Sequence, residues 1–396
     1  MKGMSIEEVI NQVFGGGGHV VILGSGASIA STLDNPELNG KKLPSMDNLI
    51  EIIGLSHIAE KVPEALKHKN FEKLYSNLYK SGKYPDVLSE IEEHIHEYFG
   101  NMQLSEKPTI YDYLVLSLRG KDLIATFNWD PFLYQAWVRN SEFTDDLPHI
   151  AFLHGNVAIG YNSIEKISGP NGYQARKDGG IFFPTQLLYP IEHKDYNSDE
   201  YIKTQWEIVT HWLSKKSSTV RATIFGYSAP ETDVEAVTLL NDAWGNPDDR
   251  AMEQFEIIDI VPEKELRNRW KGFIHSHHYD VVSDYFDSSL ALNPRRTSES
   301  YFSHYEPLTP SEAFRLNNPI PRNLRTLEDL WAWHKPLLQA ENKARDEAEK
   351  KHMKATTPKK SIKNAKKKKP RIRTNNQIVE RWKKRKRKKK TRIRRN

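Results

Sequence analysis

Short apolar runs alternate along the chain with longer stretches in which apolar residues recur every three or four positions. HVVILG (19–24), DLIATFN (122–128), HIAFLHG (149–155), TVRATIFGYS (219–228) and EQFEIIDIVP (253–262) are of the first kind, and their length and β-branched content predict buried strands. The second kind predicts helices at IEEVINQVF (6–14), across much of 43–118, and at 199–216, 231–245 and 263–270. Within 43–118 the clearest helix runs from Pro85 to Gly100. PFLYQAWV (131–138) reads as a helix with Pro131 in its first turn. A polar insertion covers 160–180, and GGIFFPT (179–185) reads as a further short strand. Residues 301–325, rich in Pro, Ser and Asn, read as a connection, and 324–354 as a long helix carrying Pro336 as a kink. Strands alternating with helices predict an α/β fold, a Rossmann-like parallel sheet with helices on both faces. The helical stretch over about 44–118 is then an insertion, or cap, between two strands.

Composition adds a second feature. The net charge is +6, but residues 358–396 hold 21 Lys and Arg against one acid, Glu380, while the other residues hold 37 basic and 51 acidic side chains. An acidic body therefore carries a basic tail. So dense a run of like charge repels itself and has little apolar surface to bury, so 355–396 is expected to be disordered alone and to bind DNA or RNA through phosphates. Trp382 within it is placed to stack on a base. There is no cysteine, which excludes disulfides, cysteine-ligated zinc and a thiol nucleophile. No apolar run reaches the ~18 residues of a membrane span, and the N-terminal MKGMSIEEVINQVF lacks the pattern of a secretory signal, so no membrane contact and a cytoplasmic location are expected.

The chemistry gathers where strands end. GSGAS (24–28) follows the first strand, and a glycine-rich strand-to-helix turn suits a phosphate ligand, because glycines admit close approach and a helix start offers N–H groups. Gly24 and Gly26 would allow the approach, with Ser25 and Ser28 as donors on either side of Ala27. An ordinary tight turn explains the same residues. The other strand ends read TFNWD, LHGN, GYSAPETD and DIVP. In open α/β sheets ligands bind beyond the carboxyl ends of the strands, where Asn128, Asp130, His154 and Ser228 would meet. Singly, Asp130 is also a helix cap, and Asn128 and His154 are also turn residues.

GSGAS, TFNWD, LHG and GYSAPETD, in that order, resemble the sirtuin-like NAD-binding family, and within it the bacterial branch that consumes NAD in defence against phage. The likeness spans about residues 5–290. It implies a catalytic domain over 1–295, a connection and helix over 296–354, and NAD as substrate with no metal. It implies that Asn128 orders the nicotinamide-side ribose and a water, that His154 is the catalytic base, and that Asp130 supports the pocket. It places Gly24, Gly26 and Ser28 on the pyrophosphate. KLPSMDNL (42–49) stands where sirtuins carry a Gly-Ile-Pro-Asp-Phe-Arg flap, with Ser45 in place of Asp and Met46 in place of Phe, and Asp47 either contributes there or opens a helix. Gly226, Tyr227 and Ser228 are expected on the adenosine side and Asp259 near the adenine ribose, with helix capping and turn formation as equal alternatives. The four cysteines that hold the zinc module of deacylating sirtuins are missing. The resemblance therefore implies a pocket closed by helices, with water as acceptor, in a gated NAD glycohydrolase. It also implies a homo-oligomer or a partner ATPase or sensor protein. A deacylase, an ADP-ribosyltransferase and a non-enzymatic NAD sensor remain alternatives.

Other signals weigh less. Glu93 and His96 form a single Glu-x-x-His pair, where a di-iron bundle needs two. HSHHYD (275–280) lacks metal-ligand spacing and reads as surface histidines. No serine nucleophile elbow is present.

Overall fold

The computed structural model describes residues 17–33, 37–38, 41–172, 180–191, 194–227, 229, 233–246, 254–274, 279–300 and 317–356. The helix expected over 6–14, Ser228, most of the His-rich run and the basic tail lie outside the described residues.

Six strands form one sheet: β1 (Gly18–Leu23), β4 (Leu123–Thr126), β5 (His149–Phe152), β9 (Thr219–Phe225), β10 (Gln254–Ile258) and β11 (Tyr279–Val282). Their order is β11-β10-β9-β1-β4-β5, and every neighbouring pair is parallel. The chain starts at the centre, winds outward through β4 and β5, then returns to the far side of β1 and winds outward again. This is the doubly wound 3-2-1-4-5-6 order, with its switch point between β1 and β9. β1 is buried throughout because both faces are covered. Val21 and Leu23 enter one apolar core and Val20 and Ile22 the other, as the two-residue period of a strand requires.

On the first face pack α1 (Ser25–Thr32), the helices of the cap and a C-terminal helix. The cap comprises α2 (Leu49–Ile52), α3 (Ser56–Ala59), α4 (Phe71–Ser81), α5 (Pro85–Gly100) and α6 (Ile110–Ser117). α7 (Phe132–Asn140) follows β4. On the second face pack α8 (Glu200–Leu213), α9 (Val234–Trp244) and α10 (Glu263–Arg269). Two short helices, α11 (Ser289–Leu292) and α12 (Thr297–Ser300), are buried under the amino ends of the strands. The helix α13 (Leu327–Thr356) docks through buried Leu330 and Leu337. It is further held by Glu341, which accepts from Arg295 Nε at 2.8 Å, and by Trp331 Nε1, which donates to Asn140 Oδ1 at 2.8 Å. Among the described residues no helix is long and apolar enough to cross a membrane.

Several local expectations change. Pro131 stands at the N-cap and the helix begins at Phe132. Just ahead of the helical stretch lies a minimal hairpin, β2 (Glu37–Leu38) with β3 (Lys41–Lys42), which the pattern did not predict. The polar insertion builds β6 (Ile159–Asn162) and β7 (Ile167–Pro170), and GGIFFPT contributes only β8 (Phe183–Pro184) to that small antiparallel sheet. β11 was absent from the strand pattern, since four residues after a His-rich run are too few to show a period.

Candidate functional site

A cavity of about 350 Å³ opens at the carboxyl ends of β1, β4, β5 and β9, at the switch point of the sheet. Gly24, Ser25 and Ser28 reach it from β1, Asn128 and Asp130 from β4, His154 from β5, and Gly226 and Tyr227 from β9. The cap contributes Leu43, Pro44, Met46, Leu49 and Phe99. The cap also contributes Glu72 and the strand side Phe127 and Trp129, so polar and apolar groups are mixed around the cavity, the usual make-up of a small-molecule site.

The glycines of the first turn serve packing before anything else. A Cβ on Gly24 would lie 2.5 Å from Gly226 O, and one on Gly26 2.8 Å from Gly226 Cα. Gly226 itself has φ +60°, and its Cβ would lie 2.4 Å from Ala27 N. Two crossover turns meet here backbone to backbone, which side chains would forbid. Gly26 N–H donates to Gly226 O at 2.9 Å and Ala27 N–H to Gly24 O at 3.0 Å. Those two groups are therefore spent, and Ala27 is buried in the core. Ser25 is exposed at the cavity edge, and its N–H has no partner among the described residues. It is the first-turn donor open to an anion.

After β4 the chain turns sharply and is clamped by Asn156, whose Nδ2 donates to Asn128 O at 3.1 Å and Asp130 O at 2.7 Å. Asn128 Nδ2 donates to Gly24 O at 2.8 Å, Ser28 Oγ at 2.9 Å and Tyr111 Oη at 3.1 Å. Its Oδ1 accepts from no group among the described residues. Ser28 donates to Asp130 Oδ2 at 2.7 Å, and Phe132 N–H donates to Asp130 Oδ1 at 3.2 Å, so Asp130, one residue before the N-cap, satisfies the first N–H of α7. Burial raises the Asp130 carboxyl to about 6, against the pull of these donors.

His154 is buried, with Nε2 3.3 Å from Tyr196 Oη and its ring edge-on to Phe127 at 4.8 Å. Burial lowers its pKa to about 4, with Asp233 opposing and Lys194 assisting. The imidazole is neutral at pH 7. Tyr227 stacks on Phe127 at 4.2 Å and donates to Asp233 Oδ2 at 3.0 Å. Asp233 stands at the N-cap of α9, yet its carboxylate pairs with buried Lys194 rather than with the helix N–H groups.

Five residues named from the sequence stand apart from the cavity lining: Gly26 and Ala27, whose N–H groups are spent in the turn, and Ser45, Asp47 and Asp259. Ser45 N–H donates to Asn48 Oδ1 at 2.7 Å, and Asp47 Oδ1 accepts from Asn70 Nδ2 at 2.9 Å. Ser45 therefore shapes the turn that enters α2 and Asp47 ties that turn to Asn70, the N-cap of α4, while their neighbours Pro44 and Met46 face the cavity. Asp259 Oδ1 accepts from Val261 N–H at 3.0 Å, closing the turn after β10. Tyr111, Asn156, Lys194 and Tyr196 were not singled out beforehand. Asn156, two residues after His154, had a visible signal, and the others had none.

The fold and cavity define a doubly wound α/β protein with a mixed polar and apolar site at its switch point. No protein-family model matches the chain. No curated protein matches it either. Among solved structures, a Sir2 homologue–NAD complex aligns at 12% identity over 71% of this chain and 90% of its own, with a TM-score of 0.34. Sir2 bound to acetylated peptide aligns at 11% identity over 64% and 86%, with a TM-score of 0.31. A Sir2–p53 peptide–NAD+ complex aligns at 10% identity over 65% and 88%, with a TM-score of 0.30.

Proposed function

We propose that the protein is a NAD+ glycohydrolase, cleaving NAD+ to nicotinamide and ADP-ribose. One observation carries the reading. A carboxamide oxygen without a partner, on Asn128, and a neutral imidazole, on His154, line one cavity beside the open N–H of Ser25. The four quoted motifs, read as sirtuin-like, supply the substrate class.

In this reading the pyrophosphate meets Ser25 N–H at the start of α1. The bond between ribose C1′ and the pyridinium nitrogen breaks, and its electron pair neutralises the leaving ring. Positive charge then develops on the ribose, as in other glycoside cleavages. The buried carboxylate of Asp130 stands behind Asn128 and favours that charge. Asn128 Oδ1 holds the water or a ribose hydroxyl, and the water oxygen bonds to C1′ as its proton passes to His154. A base so placed contributes about 10²–10⁴-fold. The chain has no cysteine to build the zinc module that shapes a peptide groove, and water is the acceptor in this reading. Such an activity is toxic unless gated, and the likeness to the NAD-consuming defence branch makes a gated anti-phage effector the biological reading. The basic tail would supply nucleic-acid contact.

Incubating the full chain with NAD+, with and without DNA or RNA, and separating the products by chromatography tests this. Equimolar nicotinamide and ADP-ribose are expected, and Asn128→Ala and His154→Ala are expected to lose at least about 100-fold while still melting cooperatively. Full turnover in either variant rejects the assignment.

A further inference from the structure

We propose that Tyr111, carried by the cap helix α6, is a positioning residue that acts with Gly24 O and Ser28 to hold the Asn128 carboxamide with Oδ1 facing the cavity. This rests on the hydrolase reading and names a residue that reading does not use.

The hydrogen-bonding protons around Asn128 are few enough to count. Gly24 O can only accept, so the amide must present Nδ2 to it. One N–H of Asn128 goes there, leaving one for the two hydroxyl oxygens of Ser28 and Tyr111. Ser28 spends its proton on Asp130 Oδ2 at 2.7 Å. Its oxygen therefore accepts from Tyr111, 2.6 Å away. Tyr111 has then given its proton to Ser28 and turns lone pairs toward Asn128. Every proton in the cluster runs toward Asp130. With both hydroxyl oxygens acting as acceptors, the carboxamide has one satisfied orientation. Burial and the charge of Asp130 hold the Tyr111 phenol far above its ordinary pKa, so it remains the donor this order needs.

Nothing else recruits that hydroxyl. Tyr111 is fully buried, and its Oη meets just these partners among the described residues. The helix is held independently. Thr109 and Asp112 form a capping box at its start, and Asp112 Oδ1 accepts from Asn140 Nδ2 at 2.8 Å. The cap thus reaches the reacting carboxamide through a single phenol, and a catalytic group borne by the sheet depends on an element inserted between two strands.

Tyr111→Phe removes the one oxygen and keeps the ring. Nicotinamide release should show kcat down about tenfold, the worth of a hydrogen bond lost at the transition state, with KM for NAD+ within about twofold. Ser28→Ala should act in the same direction, and the double variant should lose little more than the larger single one. A second readout does not need turnover. The Asn128 side-chain amide, assigned in ¹⁵N spectra by its disappearance in Asn128→Asp, should exchange with solvent at least about tenfold faster in Tyr111→Phe. Unchanged kcat, or an unchanged amide exchange rate, overturns the proposal. If the wild-type protein releases no nicotinamide, the hydrolase reading has failed, and the amide exchange still decides whether Tyr111 orients Asn128.

Discussion

Gly226→Ala tests the packing of the two turns that create the cavity floor. Two costs add at this position. A non-glycine residue at φ +60° costs about 1–2 kcal/mol. The new methyl carbon would also lie 2.4 Å from Ala27 N and 2.5 Å from Gly26 C. Both are backbone atoms, tied by the Gly26 N–H to Gly226 O bond, so neither can swing aside as a side chain would. Forcing such a shift costs about a further 1–3 kcal/mol. For a body of this size each kcal/mol lowers Tm by roughly 2–4 °C, so a fall of about 10 °C is expected. Gly82→Ala is the internal control. Gly82, after α4, has φ +64° and nothing within 4 Å of its Cβ position, so it carries the conformational cost alone, a fall of about 3 °C. Calorimetry of the two variants separates the terms. Equal shifts in Tm would refute the claim that backbone contact is what demands glycine between β1 and β9.

Two other expectations concern protons and charge. The acid limb of kcat/KM for nicotinamide release should show two steps, one near 6 as Asp130 takes up its proton and loses its charge and one near pH 4, where burial holds His154, and Asp130→Asn should remove the first step and keep the second. The same shift has a stability sign. The unfolded imidazole takes up its proton near 6.5, so the His154 contribution is complete above that pH and drains away as pH falls to about 4. Asp130, raised from 3.8 to about 6, acts in the opposite direction, its contribution being lost as pH rises through that interval. Melting curves of Asp130→Asn against wild type at pH 4 and pH 7 read this directly, and the variant should gain relative stability at the higher pH. Deleting 358–396 should abolish nucleic-acid binding that weakens steeply with salt, and filter binding or anisotropy that is indifferent to the deletion would contradict the tail's assignment.

The sheet was legible because it obeys local rules. A strand buried on both faces must be apolar along its length, so HVVILG announces itself, and Pro85 and Gly100 mark their helix by backbone chemistry alone. The strand ends were legible for the same reason, since a polar group placed just past a buried strand is conspicuous. Ligand-facing and merely structural residues do not differ in that local signal. Ser45 and Asp47 look as suggestive as Asn128, and the fold uses them to shape a turn. Tyr111 sits in the apolar run IYDYLVLSL, where nothing separates it from Tyr113, which packs against Phe286.

What the chain alone determined is the alternation of strand and helix, the glycine turn, and which polar residues follow each strand. Tertiary structure decided which of those residues share a cavity, and it spent the Gly26 amide on a second turn 200 residues away. It also brought Ser28, Tyr111 and Gly24 O within hydrogen-bonding distance of Asn128. These outcomes depend on partners distant in sequence, and desolvation, close packing and hydrogen-bond pairing act on neighbours in space, which no local pattern records.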